Sequence, residues 1–176
     1  MHDQVRLIIE GVTPQVDGGR FAVKAVAGDT VEVAADIWKD GHELIKAAVI
    51  WRKLDVAELR APLVPLPPDL GKKDWHEARL RSEYACNDRW FGRMTLDEVG
   101  PHAFSIVAWT DFFGSWCEDL RKKRAAGQVV ASELLEGIAL IERGTAASVS
   151  RKITYPSKTA LASARLSYQF LCQPVT

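Results

Sequence analysis

The chain has 176 residues, 23 Lys and Arg against 23 Asp and Glu, and 47% hydrophobic residues. That length suits one ordinary domain, or a domain of about 110 residues with a helical appendage. Charge balance excludes a field that would draw the chain to nucleic acid or an anionic membrane, and no apolar run approaches the length of about 20 residues needed to span a bilayer. No basic segment followed by an apolar stretch opens the sequence, so a cytoplasmic location is expected.

From Val5 to about Thr110 the apolar residues alternate with polar ones and are punctuated by turn residues, the pattern of short half-buried strands. Strands are expected at 5–10, around 21–24, and at 30–37, 46–53, 75–81, 90–95 and 103–110. In 30–37, Val31, Val33, Ala35 and Ile37 share one face against Glu32 and Asp36. Asp40-Gly41 then supplies a tight turn, which predicts that 30–37 and 46–53 form a hairpin or adjacent pair. Seven short strands predict an immunoglobulin-like β-sandwich over residues 1–111. Pro62, Pro65, Pro67 and Pro68 remove ladder donors, so 61–68 reads as a surface crossing between strands. Gly18-Gly19-Arg20 lacks the strand-to-helix context and lysine of a phosphate loop and reads as a turn.

At Asp111 the period changes. Phe112, Trp116, Leu120 and Lys123 recur at helical spacing behind an Asp N-cap, and Gly127 offers a stop. A second helix is expected over 129–143, with Val130, Leu134, Ile138 and Ile141 on its packed side and Glu133, Glu136 and Glu142 facing away. The result is an antiparallel hairpin, or partial bundle, over 112–145. Between Gly144 and Pro174 there is no acidic residue. The tail, 146–176, reads either as a helix over 157–171 capped by Ser157 or as a non-native, frameshifted terminus.

Cys86, Cys117 and Cys172 form an odd set without paired spacing, so neither a disulfide framework nor a zinc site is indicated, and no cofactor is expected. His42 and His76 have no ligand-like spacing and suit surface or packing roles. Asn87-Asp88-Arg89-Trp90 joins an amide, a carboxylate, a guanidinium and an indole. That set fits a sugar, through hydrogen bonds and an apolar ring face. The reading favoured over a sugar site is a turn at Asn87-Asp88 with Arg89 paired to an acid and Trp90 anchoring the core or a contact with another domain. Of the six tryptophans, Trp51 and Trp109 are expected to face inward. Trp38 and Trp75 sit nearer loops, where an indole can also meet a sugar or a partner. Arg121-Lys122-Lys123-Arg124 complements the helix dipole and reads as a solvated helix end or an anionic-partner contact.

Taken in order, several segments resemble the amino-terminal domain of the α-1,4-glucan:maltose-1-phosphate maltosyltransferases of the α-amylase (glycoside hydrolase 13) superfamily. They are Arg6 to Glu10, Thr13 to Lys24, Gly28-Asp29, Ala35 to Glu43, Asn87 to Trp90, Ala108 to Phe112, Trp116, Leu120 to Lys123 and Ala126 to Gln128. The resemblance covers about 5–143 and stops before the tail. It implies a non-catalytic sandwich with a helical insertion that packs on a catalytic barrel and takes part in homodimer contacts. The residues of glycosyl transfer would belong to that barrel, so no catalytic residue carries over, and a sandwich gives no reason to expect two carboxylates about 5 Å apart across one sugar. Trp116 and the helix faces join Trp38, Trp75, Asn87, Asp88, Arg89 and Trp90 as candidate contacts to a partner or to carbohydrate. A stand-alone module binding α-glucan through exposed indoles is the alternative.

Overall fold

A computed structural model describes residues 7–55, 75–82, 88–148 and 167–173. The expected surface crossing at 61–68, Asn87 and Cys86 lie outside the described residues. Strands run over Leu7–Thr13 (β1), Val23–Val26 (β2), Thr30–Lys39 (β3), Ile45–Lys53 (β4), His76–Ser82 (β5), Arg89–Thr95 (β6), Gly100–Thr110 (β7) and Ser167–Gln173 (β8), with helices at Phe112–Ala125 (α1) and Ala131–Ser148 (α2). The chain is mainly β with C-terminal helices, as the periodicity predicts.

The strands follow the order β1-β3-β6-β5-β4-β7-β8-β2, and β5 is where the sheet folds over on itself. Its residues 76–80 pair with β4, while Arg81 and Ser82 pair with β6. The two layers therefore face each other. Val33, Ala35 and Ile37 of β3 and Met94 of β6 meet Ala47 and Val49 of β4 and Phe104, Ile106 and Ala108 of β7 in one buried cluster. Each large apolar side chain removed from water there contributes about 1.5–3 kcal/mol. Gly92 of β6 makes the fold-over possible, since a Cβ would stand 3.1 Å from Leu80 Cγ of β5 and 3.4 Å from the Arg79 carbonyl.

β7 is buried along both faces. Its outward side carries Val107 and Trp109, which cluster with Ala48 and Ile50 of β4 and with Trp75. This corrects the expectation that Trp51 and Trp109 share the inward face. Trp51 packs against the main core, whereas Trp109, one residue out of phase with Ala108, lies in the second cluster beneath the Arg79 guanidinium, 5.1 Å from its ring centroid.

Two further expectations are corrected. β3 and β4 do not pair: β3 joins β1 and β6, and β4 joins β5 and β7. Gly41 does turn the chain (φ 97°), but the five residues 40–44 carry it from one layer to the other rather than closing a two-residue hairpin. At the far end, the helix expected over 157–171 gives way from Ser167 to β8. That strand lies antiparallel to β7 (Ser105 opposite Ser167, Gly100 opposite Cys172) and parallel to β2. The helices thus leave and rejoin the sheet between two neighbouring strands.

Candidate functional site

Three groups of residues were open to a binding or contact role: the segment ending in Trp90, the scattered indoles, and the helical hairpin.

Arg89 lies opposite Asp36 in the β3–β6 ladder. Its Nη1 is 3.1 Å from Asp36 Oδ2 and donates to the Gly11 carbonyl at 2.7 Å, while Nη2 donates to Thr13 Oγ1 at 3.1 Å. The guanidinium fork therefore holds the irregularity of β1 between Glu10 and Thr13, where the register against β3 shifts. Gly11 sits at φ 58°, and a Cβ there would come within 2.5 Å of Asp36 Oδ2, so glycine is required on both counts. Asp88 is exposed, and its carbonyl accepts from the Ile37 N–H at 2.9 Å. The Trp90 indole N–H donates to the Ile37 carbonyl at 3.1 Å while the ring packs on the main core. Asp88, Arg89 and Trp90 together tie β6 to β3 and β1.

Other indoles are similarly engaged. Trp38 donates to Glu10 Oε1 at 3.2 Å, and Trp51 donates to the Thr95 carbonyl at 3.1 Å with His76 stacked on its ring at 5.4 Å. Trp75 lies under the Arg52 guanidinium at 5.4 Å. A sugar stacking on Trp75 at that face would have to displace Arg52. Among the described residues no group of three His, Cys, Asp or Glu side chains is placed to hold a metal ion, and no helix is long and apolar enough to cross a membrane.

The helical hairpin differs in kind. Asp111 caps α1 by accepting from the Gly114 N–H at 3.1 Å, and Gly127, at φ 72°, follows its end. Trp116 then reaches across to α2: its ring occupies the space beside Gly137, and its N–H donates to the Glu133 carbonyl at 2.8 Å. Lys123 Nζ meets Glu133 Oε1 at 2.7 Å. That hydrogen bond, ahead of Glu133's own backbone and Ser132, pulls the Glu133 carboxyl down to about 2. The same carboxylate raises the Lys123 ammonium. In the basic run, Lys122 pairs with Glu118 at 2.9 Å, which raises Lys122 as well.

It follows that the face of α2 turned to α1 is the one bearing Glu133 and Gly137. The expectation that Val130, Leu134, Ile138 and Ile141 form the packed side, with Glu133 facing away, is overturned: Val130 is half-buried, but Leu134, Ile138 and Ile141 are 49%, 53% and 49% exposed, neighbouring Leu135 is 69% exposed, and Glu133 meets α1. Trp116 fills the gap over a glycine, and Leu140, one turn on from Gly137 along the same face, is half-buried. An apolar stripe at i, i+4 and i+7 is left in water, which is the pattern of a helix that buries this face against something else.

The segment order, the sandwich and the helical excursion between β7 and β8 agree with one family. A family model described as "Alpha-1,4-glucan:maltose-1-phosphate maltosyltransferase, domain N/S" matches residues 5–171. The chain belongs to this family. The match passes residue 143, where the resemblance read from the sequence ended, and takes in most of β8. Among relatives, the maltosyltransferase of Myxococcus xanthus is 38% identical over 146 residues, 83% of this chain and 20% of the relative. That of Cereibacter sphaeroides is 42% identical over 137 residues, 78% of this chain and 20% of the relative. The Burkholderia pseudomallei enzyme is 38% identical over 160 residues, 91% of this chain and 12% of the relative. The chain thus spans a fifth or less of the length of these relatives, and what it matches in them is the N/S domain.

Proposed function

We propose that this chain is the non-catalytic front module of a maltosyltransferase that extends α-1,4-glucan from maltose 1-phosphate, and that its task is assembly: packing against the catalytic barrel and forming homodimer contacts. The observation that carries this reading is the α2 stripe of Leu134, Leu135, Ile138 and Ile141, apolar and uncovered on a helix whose other side is already closed by Trp116. A helix of a finished monomer buries such a face. The family supplies the setting, since the relatives named for this activity carry the matched segment as a small part of a much longer chain.

The chemistry of the described residues supports a positional role. Four carboxylates, Asp36, Glu43, Glu98 and Glu133, are each paired with a basic side chain, Arg89, Lys39, Lys53 and Lys123 respectively. In Glu43, Glu98 and Glu133 the hydrogen bond from the lysine lowers the carboxyl pKa, the opposite of the upward shift a general acid needs.

Titrating the chain with a maltooligosaccharide while following tryptophan fluorescence tests the reading against glucan binding. A flat response agrees with the assembly role. Saturable quenching would instead mean that an indole stacks on sugar and that the module binds glucan itself.

A further inference from the structure

Sandwich and helices meet around Leu44 and Asp111. Leu44, which precedes β4, is bonded on both sides by the start of α1: its N–H donates to Ser115 Oγ at 2.8 Å, and its carbonyl accepts from the Asp111 N–H at 2.7 Å. Ser115 Oγ donates in turn to the Asp111 carbonyl at 2.7 Å. The Asp111 carboxylate divides its oxygens, Oδ1 accepting from the Gly114 N–H at 3.1 Å and Oδ2 pairing with Lys46 Nζ at 2.6 Å. Lys46 projects from β4 next to Ile45, which is itself opposite Thr110, the last residue of β7. Only Asp111 stands between the end of β7 and the start of α1.

A hinge needs a few residues whose backbone groups can exchange protein partners for water while φ and ψ change. Here the one connecting residue has its N–H and C=O bonded within the fold and both carboxylate oxygens committed to different elements. Asp111 Oδ2 also lies largely out of solvent, its side chain 14% exposed, where a charge-assisted bond is stronger than at an open surface.

We propose that the clasp formed by Leu44, Lys46, Asp111 and Ser115 locks α1 and α2 to the sandwich as one rigid arm, so that the direction in which α2 points is fixed by the β3–β4 connection. Ser115 and Lys46 are then positioning residues for whatever the arm meets. The inference rests on the assembly reading only for what the arm presents; the rigidity of the joint stands or falls separately.

Backbone ¹⁵N relaxation on the full chain tests it, comparing α1 and α2 amides with β4 and β7 amides in the same sample. Any self-association slows both sets, so their ratio reports the joint alone. In the wild type the two sets should share one correlation time, with order parameters of about 0.85 throughout. In Ser115→Ala/Lys46→Met the helix set should part from the sheet set while both keep their secondary-structure shifts. Lys46→Met alone, at a half-exposed side chain, should give the same change in smaller measure, and it decides the matter should the double variant fail to fold. Two correlation times already in the wild type, or one in the folded variants, would overturn the proposal.

Discussion

The Trp116 ring occupies the space that a side chain at residue 137 would need, and its N–H donates to the carbonyl of Glu133, one turn earlier on α2. Gly137→Ala therefore sets two effects against each other. Alanine raises helix propensity by about 1 kcal/mol, but overpacking against an indole costs about 1–3 kcal/mol. Since the clash is with ring atoms rather than a flexible chain end, the second should win. The hairpin should loosen, with faster amide exchange in α2, while β4 and β7 keep wild-type protection. Unchanged exchange in α2 would show that Trp116 does not hold the helices together.

Arg89 serves three acceptors from one planar group, and lysine cannot reproduce that fork. Arg89→Met should lower the free energy of unfolding by about 1.5–3 kcal/mol, the usual loss for hydrogen bonds to a charged group. Arg89→Lys should recover less than half of it. Urea unfolding of both variants measures this, and equal stability of wild type and Arg89→Met would remove Arg89 from its role at the β1 irregularity.

His102 is 4% exposed on the inner face of β7. Burial holds its imidazole below the ordinary value, opposed by a hydrogen bond with the Gly100 carbonyl and reinforced by the nearby Lys53 charge. The unfolded chain therefore takes up this proton more readily than the folded one. Stability is fully present above about pH 6.5 and is lost as pH falls below that value toward the folded pKa. The lowered carboxyls of Glu43, Glu98 and Glu133 act in the same direction but in a lower window, beginning near their ordinary value of 4.5. Urea midpoints should fall between pH 7 and 5.5 in the wild type and hold level in His102→Gln. A parallel fall in both proteins would assign the effect elsewhere.

Much of the sandwich is legible in the sequence because a half-buried strand writes its own period: Val33, Ala35 and Ile37 alternate, and so do Ala47, Val49 and Trp51. The Asp111 cap is equally local. Sheet partnership is not local, and Asp40-Gly41 announces a turn without saying whether the chain folds back or crosses between layers. β8 is obscured because the alanines before it favour a helix, while its pairing with β2 and β7 depends on strands far back in the chain. The packed side of α2 is hidden for another reason. Its contact is made by Gly137, which carries no hydropathy signal, and by an indole from α1, so the aliphatic stripe that marks a core-facing helix in most proteins here marks the open side. Leu44, Lys46 and Ser115 are unremarkable in sequence and matter only through where the fold brings them.

Sedimentation equilibrium of the wild type beside Leu134→Ser/Ile138→Ser tests the assembly role most directly. The account predicts concentration-dependent association of the wild type and a shift of the variant toward monomer at unchanged helix content. A wild type that stays monomeric across the whole concentration range, or a variant that associates equally well, would contradict it.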